Sequence, residues 1–222
     1  MENVHYFLHV TDTHLCFDAE APDICCTEQA LRSLYQTAFA WDHRPAFVLI
    51  TGDLVHEGTS ADYARAKTLL QELDEQYHTK TYPALGNHDN RENFNSAFRE
   101  QASDQPVDYC VQNEWLRWIV LDSSCGQVIG QLSGSQLAWL EQELCDPTDC
   151  PTILALHHPV YGTTTAETDA NNLATPDRLI RLLQDHPVDG ILCGHSHEAT
   201  LVTEQGLPPQ FVGAGAASAA LP

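Results

Sequence analysis

Basic side chains are scarce in this chain: ten Lys and Arg stand against 31 Asp and Glu, for a formal net charge of −21. So acidic a surface repels DNA and RNA unless a local basic patch intervenes, and no Lys/Arg cluster supplies one. Polymeric nucleic acid is therefore not an expected partner. Also absent is any apolar run approaching the ~20 residues that a membrane-spanning helix needs, so no membrane partner is expected. The N-terminus lacks a basic region followed by an apolar one; no signal peptide is expected, and a cytoplasmic location is the default. No CxxC occurs among the eight cysteines, which argues against a structural zinc site. Reduced thiols are expected, the adjacent Cys25-Cys26 included, with a Cys145–Cys150 bridge as the alternative.

What is present is an ordinary globular composition, 43% hydrophobic over 222 residues, enough to bury a sizeable core. No linker or repeat divides it, so residues 1–222 are expected to form a single domain. Apolar, β-branched runs at Tyr6 to Val10, Ala46 to Ile50, Thr81 to Leu85, Trp115 to Leu121, Ile153 to Leu156 and Gly190 to Cys193 read as strands. Between them lie helical faces. Leu69, Leu70, Leu73 and Tyr77 form one, on a segment opening near Thr59 or Ser60. Leu137, Leu140 and Leu144 form another, opening near Ser135. A third carries Leu179, Ile180, Leu182 and Leu183 behind a Thr175 cap and a first-turn Pro176. Alternating strands and helices predict an α/β sandwich. A hairpin over Asp108 to Asp122 predicts a mixed sheet.

Five of the six strands stop at polar groups able to hold a metal. They give Asp12 and His14, Asp53, then Asn87-His88-Asp89, then His157-His158, and finally His195 and His197 in GILCGHSH. If the backbone stays extended past Gly194, strand alternation points His195 and His197 the same way. Each cluster alone could be a turn or a cap. Ligands at successive strand ends, however, converge on one sheet edge, where open α/β folds place their sites. Asp12, His14, Asp53, Asn87, His157, His195 and His197 are too many donors for one ion. Two ions sharing one carboxylate use them well. Mixed nitrogen and oxygen donors suit Mn, Fe, Zn or Co, without choosing among them.

With D-x-H, G-D, G-N-H-D, H and G-H-x-H in order from Asp12 to His197, the chain resembles the calcineurin-like metallophosphoesterase superfamily. Within it, the TDTHL start, TGDLVHEGTSADY and HHPV are most similar to bacterial class III cyclic-nucleotide and glycerophosphodiester phosphodiesterases. The resemblance implies a four-layer αββα sandwich of two mixed β-sheets flanked by helices, around two metal ions. One ion would take Asp12, His14, Asp53 and His197, and the other Asp53, Asn87, His157 and His195. It also implies that His88 is a non-ligand histidine. Because His88 follows a metal-bound Asn, it is expected beside the bound phosphate, with Asn87 and His88 touching substrate and Asp89 orienting His88. His158 would then be structural.

From these implications follows a dinuclear-metal phosphoesterase. A hydroxide between the metals would attack phosphorus in line, and His88 would stabilise the equatorial charge or protonate the leaving group. The expected partner is a small phosphodiester, a 3′,5′-cyclic nucleotide such as cAMP first. A glycerophosphodiester or a monoester remains the alternative. A non-catalytic scaffold of the same fold would be expected to have lost ligands, and none is lost here. Thr163-Thr164-Thr165 and Asn171-Asn172 would lie in a loop over the site or on a polar surface. Only 25 residues follow His197, and Gly213 to Ala220 have little strand character, so either the second sheet is shortened or the chain is truncated. A homodimer stays open.

Overall fold

The computed structural model describes residues 4–17, 27–162 and 172–216. Three strands, β1 (Leu8–Val10), β2 (Val48–Thr51) and β3 (Thr81–Ala84), form a parallel sheet in the order β1-β2-β3. A second sheet holds β4 (Tyr109–Gln112), β5 (Arg117–Val120), β6 (Thr152–Ala155), β7 (Gly190–Cys193), β8 (Thr200–Val202) and β9 (Gln210–Val212), in the order β4-β5-β6-β7-β9-β8. Its inner pairs are parallel, and the outer pairs β4–β5 and β8–β9 are antiparallel. The expected hairpin is thus present. The first sheet departs from the expected mixed character: every pair in it is parallel.

Side-chain alternation builds four layers from these strands. Leu49, Trp118, Val120, Ile153 and Ala155 point inward and meet between the sheets, where Phe47 stacks on Trp118 with ring centroids 4.2 Å apart. Their neighbours point outward. Val48 and Ile50 pack under helices α1 (Thr27–Phe39), α2 (Ser60–Tyr77) and α3 (Arg91–Arg99) through Leu31, Tyr35, Leu70 and Phe94. Ile119, Leu154 and Ile191 pack under α4 (Gly134–Cys145) and α5 (Pro176–Asp185) through Leu140, Leu179 and Leu183. Strands covered on both faces are apolar at most positions, which is why they read as short continuous runs.

Local chemistry sets the helix ends. Thr59 and Ser133 each close a capping box, with Asp62 and Gln136 respectively, and so start α2 and α4. Thr175 makes no side-chain cap; Pro176 alone supplies the start of α5.

Two strands follow His197 despite the weak pattern there, so the second sheet is not shortened at β7. Gln210 in β9 is fully buried, and its Oε1 accepts from the backbone N–H of Val160 and Tyr161, tying β9 to the loop after His157. The cysteines among the described residues, Cys145 and Cys150 included, are all unpaired. Cys25-Cys26, Thr163-Thr164-Thr165, Asn171 and the last Ala/Ser residues lie outside the described residues. No helix among the described residues is long and apolar enough to cross a membrane.

Candidate metal centre

All seven expected metal-binding groups lie at one edge, in the loops after β1, β2, β3, β6 and β7. Asp12, His14, Asp53, His195 and His197 do so with left-handed backbones, at φ of 52°, 39°, 49°, 73° and 57°. Extended alternation therefore does not aim His195 and His197, contrary to expectation. Two tight left-handed turns do. Such conformations cost a non-glycine residue on the order of 1–3 kcal/mol and persist only where the surroundings over-determine them. Here those surroundings are visible. Asp12 N–H donates to Gly52 O at 3.1 Å, His14 N–H to Asp53 O at 2.8 Å, and His195 N–H to Asp12 Oδ2 at 3.0 Å.

The donor atoms form two groups around one carboxylate oxygen. Asp53 Oδ2 is 3.6 Å from His14 Nε2 and 3.5 Å from His157 Nε2. On the first side, His14 Nε2 faces His197 Nε2 at 3.3 Å, and His197 Nε2 is 3.1 Å from Asp12 Oδ1. On the second, His157 Nε2 faces Asn87 Oδ1 at 3.1 Å and His195 Nδ1 at 3.2 Å. Donors held ~2.0–2.2 Å from a common cation stand roughly 3–3.5 Å from one another. These spacings fit that arrangement. Asp12 Oδ1 is buried and has no aligned donor, although His197 Nε2 is close. Imidazole nitrogens that face each other without a cation need a proton between them; a cation accepts both lone pairs.

Fields within the cluster oppose burial. Burial pushes the Asp12 carboxyl up, yet His157, His197 and the Thr11 hydroxyl together hold it far below the usual carboxylate range. Burial lowers His14 to about 4, outweighing Asp53 and Asp12. Burial also pulls His157 down, but Asp53 and Asp12 leave it raised. Close backbone approach is part of the construction. A Cβ on Gly86 would lie 2.2 Å from Asp53 Oδ1, and one on Gly194 would lie 1.8 Å from Thr11 Oγ1. A side chain at either glycine would displace the carboxylates from their places.

His88 stands beside this cluster. Its backbone N–H donates to Asp53 Oδ1 at 2.9 Å, and its Nδ1 lies 2.9 Å from His56 O. A carbonyl only accepts, so Nδ1 carries the hydrogen and Nε2 is left for other contacts. Asp89 does not orient His88, contrary to expectation. Its carboxylate accepts from Leu54 N–H, Val55 N–H, Gly86 N–H and the Tyr63 hydroxyl, bracing the loops after β2 and β3 against each other. Burial and the Asp53 charge raise it to about 7 against those donors.

His158 is fully engaged elsewhere. Nε2 donates to Val128 O at 3.1 Å, so Nδ1 accepts from Ser123 Oγ at 2.8 Å, and no lone pair is left for a metal. Burial, with His157 and His195 alongside, lowers its pKa to about 2. It is a neutral strut. Sequence reasoning passed over Thr11, Tyr63 and His56. The first two carry no signal, but His56 follows Asp53 by three residues within TGDLVHEG.

Among curated proteins, a probable cyclic nucleotide phosphodiesterase of Rhodococcus erythropolis is 36% identical over 92% of this chain and 68% of its own length. A cAMP/cGMP dual specificity phosphodiesterase of Mycobacterium tuberculosis is 33% identical over 92% of this chain and 65% of its own. A glycerophosphodiester phosphodiesterase of Enterobacter lignolyticus is 33% identical over 71% of this chain and 58% of its own. The chain thus spans 58% to 68% of the length of these relatives. A dimetal phosphatase from Danio rerio superposes with a TM-score of 0.74 over 96% of this chain and 88% of that one; at 17% identity it shows the fold alone. The calcineurin-like phosphoesterase family model matches residues 5–199. That match runs from β1 through β7 and takes in every residue of the centre described above, and the chain belongs to the calcineurin-like phosphoesterase family.

Proposed function

We propose that this chain hydrolyses a small phosphodiester, a 3′,5′-cyclic nucleotide first among them, at a centre of two metal ions. One ion is held by Asp12, His14, Asp53 and His197, and the other by Asp53, Asn87, His157 and His195. The observation that carries the reading is the single oxygen, Asp53 Oδ2, set 3.6 and 3.5 Å from imidazole nitrogens of two separate donor groups. When bound, such a pair of cations supplies charge neutralisation for a phosphoryl group and activation of water at neutral pH. Mixed nitrogen and oxygen donors suit Mn, Fe, Zn or Co.

The chain's own residues supply position and protons. Asp53 Oδ1 fixes the backbone of His88. The His56 carbonyl fixes the hydrogen on His88 Nδ1, so Nε2 faces the substrate oxygens and, in the imidazolium form, hands its proton to the departing alkoxide. Asn87 contributes a carboxamide to the phosphoryl group from the neighbouring position. Beside His158, Cys125, Val128, Ile129 and Gly130 line a largely apolar cleft of about 440 Å³, a volume that suits the non-phosphate part of a small diester.

The names of the Rhodococcus and Mycobacterium relatives favour a cyclic nucleotide. The Enterobacter relative favours a glycerophosphodiester as the second reading. The cysteines among the described residues are unpaired, in keeping with a reducing, cytoplasmic setting. The test is a side-by-side assay of the manganese-reconstituted protein on cAMP, cGMP, glycerophosphocholine, bis-p-nitrophenyl phosphate and p-nitrophenyl phosphate. Faster turnover of the diesters than of the monoester is expected, with cAMP or cGMP the better natural substrate. A preference for p-nitrophenyl phosphate would overturn the diester reading.

A further inference from the structure

His56 lies outside both donor groups, yet it touches the residue to which the chemistry is assigned. Its ring stacks on that of His88, with centroids 5.1 Å apart and planes at 28°. On another side of His88, the His14 ring stands edge-on, 4.7 Å away at 90°. His14 and His56 also touch, with centroids 5.6 Å apart at 64°, so the three imidazoles form one mutually packed cluster. His56 itself is anchored through its backbone: its N–H donates to Leu15 O at 3.2 Å, next to the isolated bridge between Leu15 and Val55. Two residues on, Gly58 folds back so closely that a Cβ there would lie 2.9 Å from His88 O.

We infer that His56 is the positioning residue for His88: its carbonyl keeps the hydrogen on His88 Nδ1, and its ring, in contact with both His88 and His14, holds the His88 ring in place, leaving Nε2 as the nitrogen that meets substrate. The ring acts by shape rather than by hydrogen bonding. His56 Nδ1 is buried without a hydrogen-bond partner, and its Nε2 lies 3.5 Å from Glu57 Oε1. A ring of similar outline without nitrogens should therefore serve.

This rests on the phosphodiesterase reading, and its test is built to fail separately. Manganese-loaded wild type, His56→Ala and His56→Phe are compared on bis-p-nitrophenyl phosphate, with metal content measured on each. Misplacing a catalytic group by a fraction of an ångström costs about tenfold or more, so His56→Ala should lose about that much kcat. Its KM and its metal content should stay near wild type, and His56→Phe should recover most of the loss. An alanine variant with wild-type kcat, an alanine variant depleted of metal, or a phenylalanine variant as slow as alanine would each overturn the proposal. Should alanine not fold, His56→Asn takes its place as the variant without a ring. Nitrogen NMR of the zinc-loaded protein reads His88 directly, without turnover. The hydrogen is expected on Nδ1, in wild type and in His56→Phe, and a hydrogen on Nε2 alone would contradict the assignment. If wild type cleaves no diester, the function falls while this readout still decides whether the His56 carbonyl sets the hydrogen on His88.

Discussion

At the scale of single residues, the centre is made by backbone turns as much as by ligand chemistry. The types Asp, His and Asn were legible in the sequence because few other groups hold a hard cation. The left-handed turns at Asp12, His14, Asp53, His195 and His197 were not legible, since they are imposed by bonds to distant residues. Asp89 shows the same limit: adjacency to His88 suggested a pair, whereas long-range packing turns its carboxylate toward Leu54, Gly86 and Tyr63. That placement has a pH consequence. Burial and Asp53 raise the folded-state Asp89 to about 7, above its unfolded value, so the folded metal-free protein holds a proton that the unfolded chain has released. The contribution is fully present below the unfolded pKa and is lost as pH rises through about 7. His14 and His158, both lowered in the folded protein, add stability over the same window, so the Asp89 component is read as a difference: in urea titrations, the stability of metal-free wild type relative to Asp89→Asn should fall across it. Asp89→Asn should remove this component while costing about 1–3 kcal/mol, because its NH₂ group faces donors. Bound cations, by neutralising Asp53, should flatten the slope.

At the scale of elements, strands covered on both faces announced themselves as apolar runs, and five of them lead directly into the ligands. Strands β8 and β9 did not. Each has three residues, one carries a buried Gln, and Pro208-Pro209 precedes β9, so no periodicity could accumulate. Helices α1 and α3 were also passed over. The apolar face of α3 is broken by Asn95, which is buried because its Nδ2 satisfies the carbonyls of Ser103 and Gln105. The start of α2 was legible, for a capping box is a local signal. It closes the loop that carries Asp53 and His56, yet Thr59 is exposed and its side chain bonds to Asp62 within the capping box. Thr59→Ala should cost about 1 kcal/mol in chemical denaturation and leave metal content unchanged. A loss of metal would mean that the loop depends on its cap.

At the scale of the whole molecule, the alternation of strand and helix predicted an α/β sandwich and the family resemblance implied its four layers, but neither recorded the division of strands between sheets. A three-stranded parallel sheet facing a six-stranded mixed one follows from which crossovers pack together, and no local pattern records that. The charge of −21 was legible outright. Such a surface repels an anionic diester on approach, and screening should relieve the repulsion. The Debye length falls from ~30 Å at 0.01 M to ~8 Å at 0.15 M ionic strength. Values of kcat/KM for bis-p-nitrophenyl phosphate should therefore rise over that range. A fall would show that the local field of the centre, rather than the overall charge, governs encounter.

Metal stoichiometry after saturation and removal of excess ion tests the two-cation centre most directly, measured by elemental analysis on wild type, His197→Ala and Asp53→Asn. Two ions per chain are expected in wild type, a deficit confined to one site when the His197 imidazole is lost, and depletion of both when the shared carboxylate becomes an amide. Wild type that retains fewer than two ions, or an Asp53→Asn protein that retains both, would contradict it.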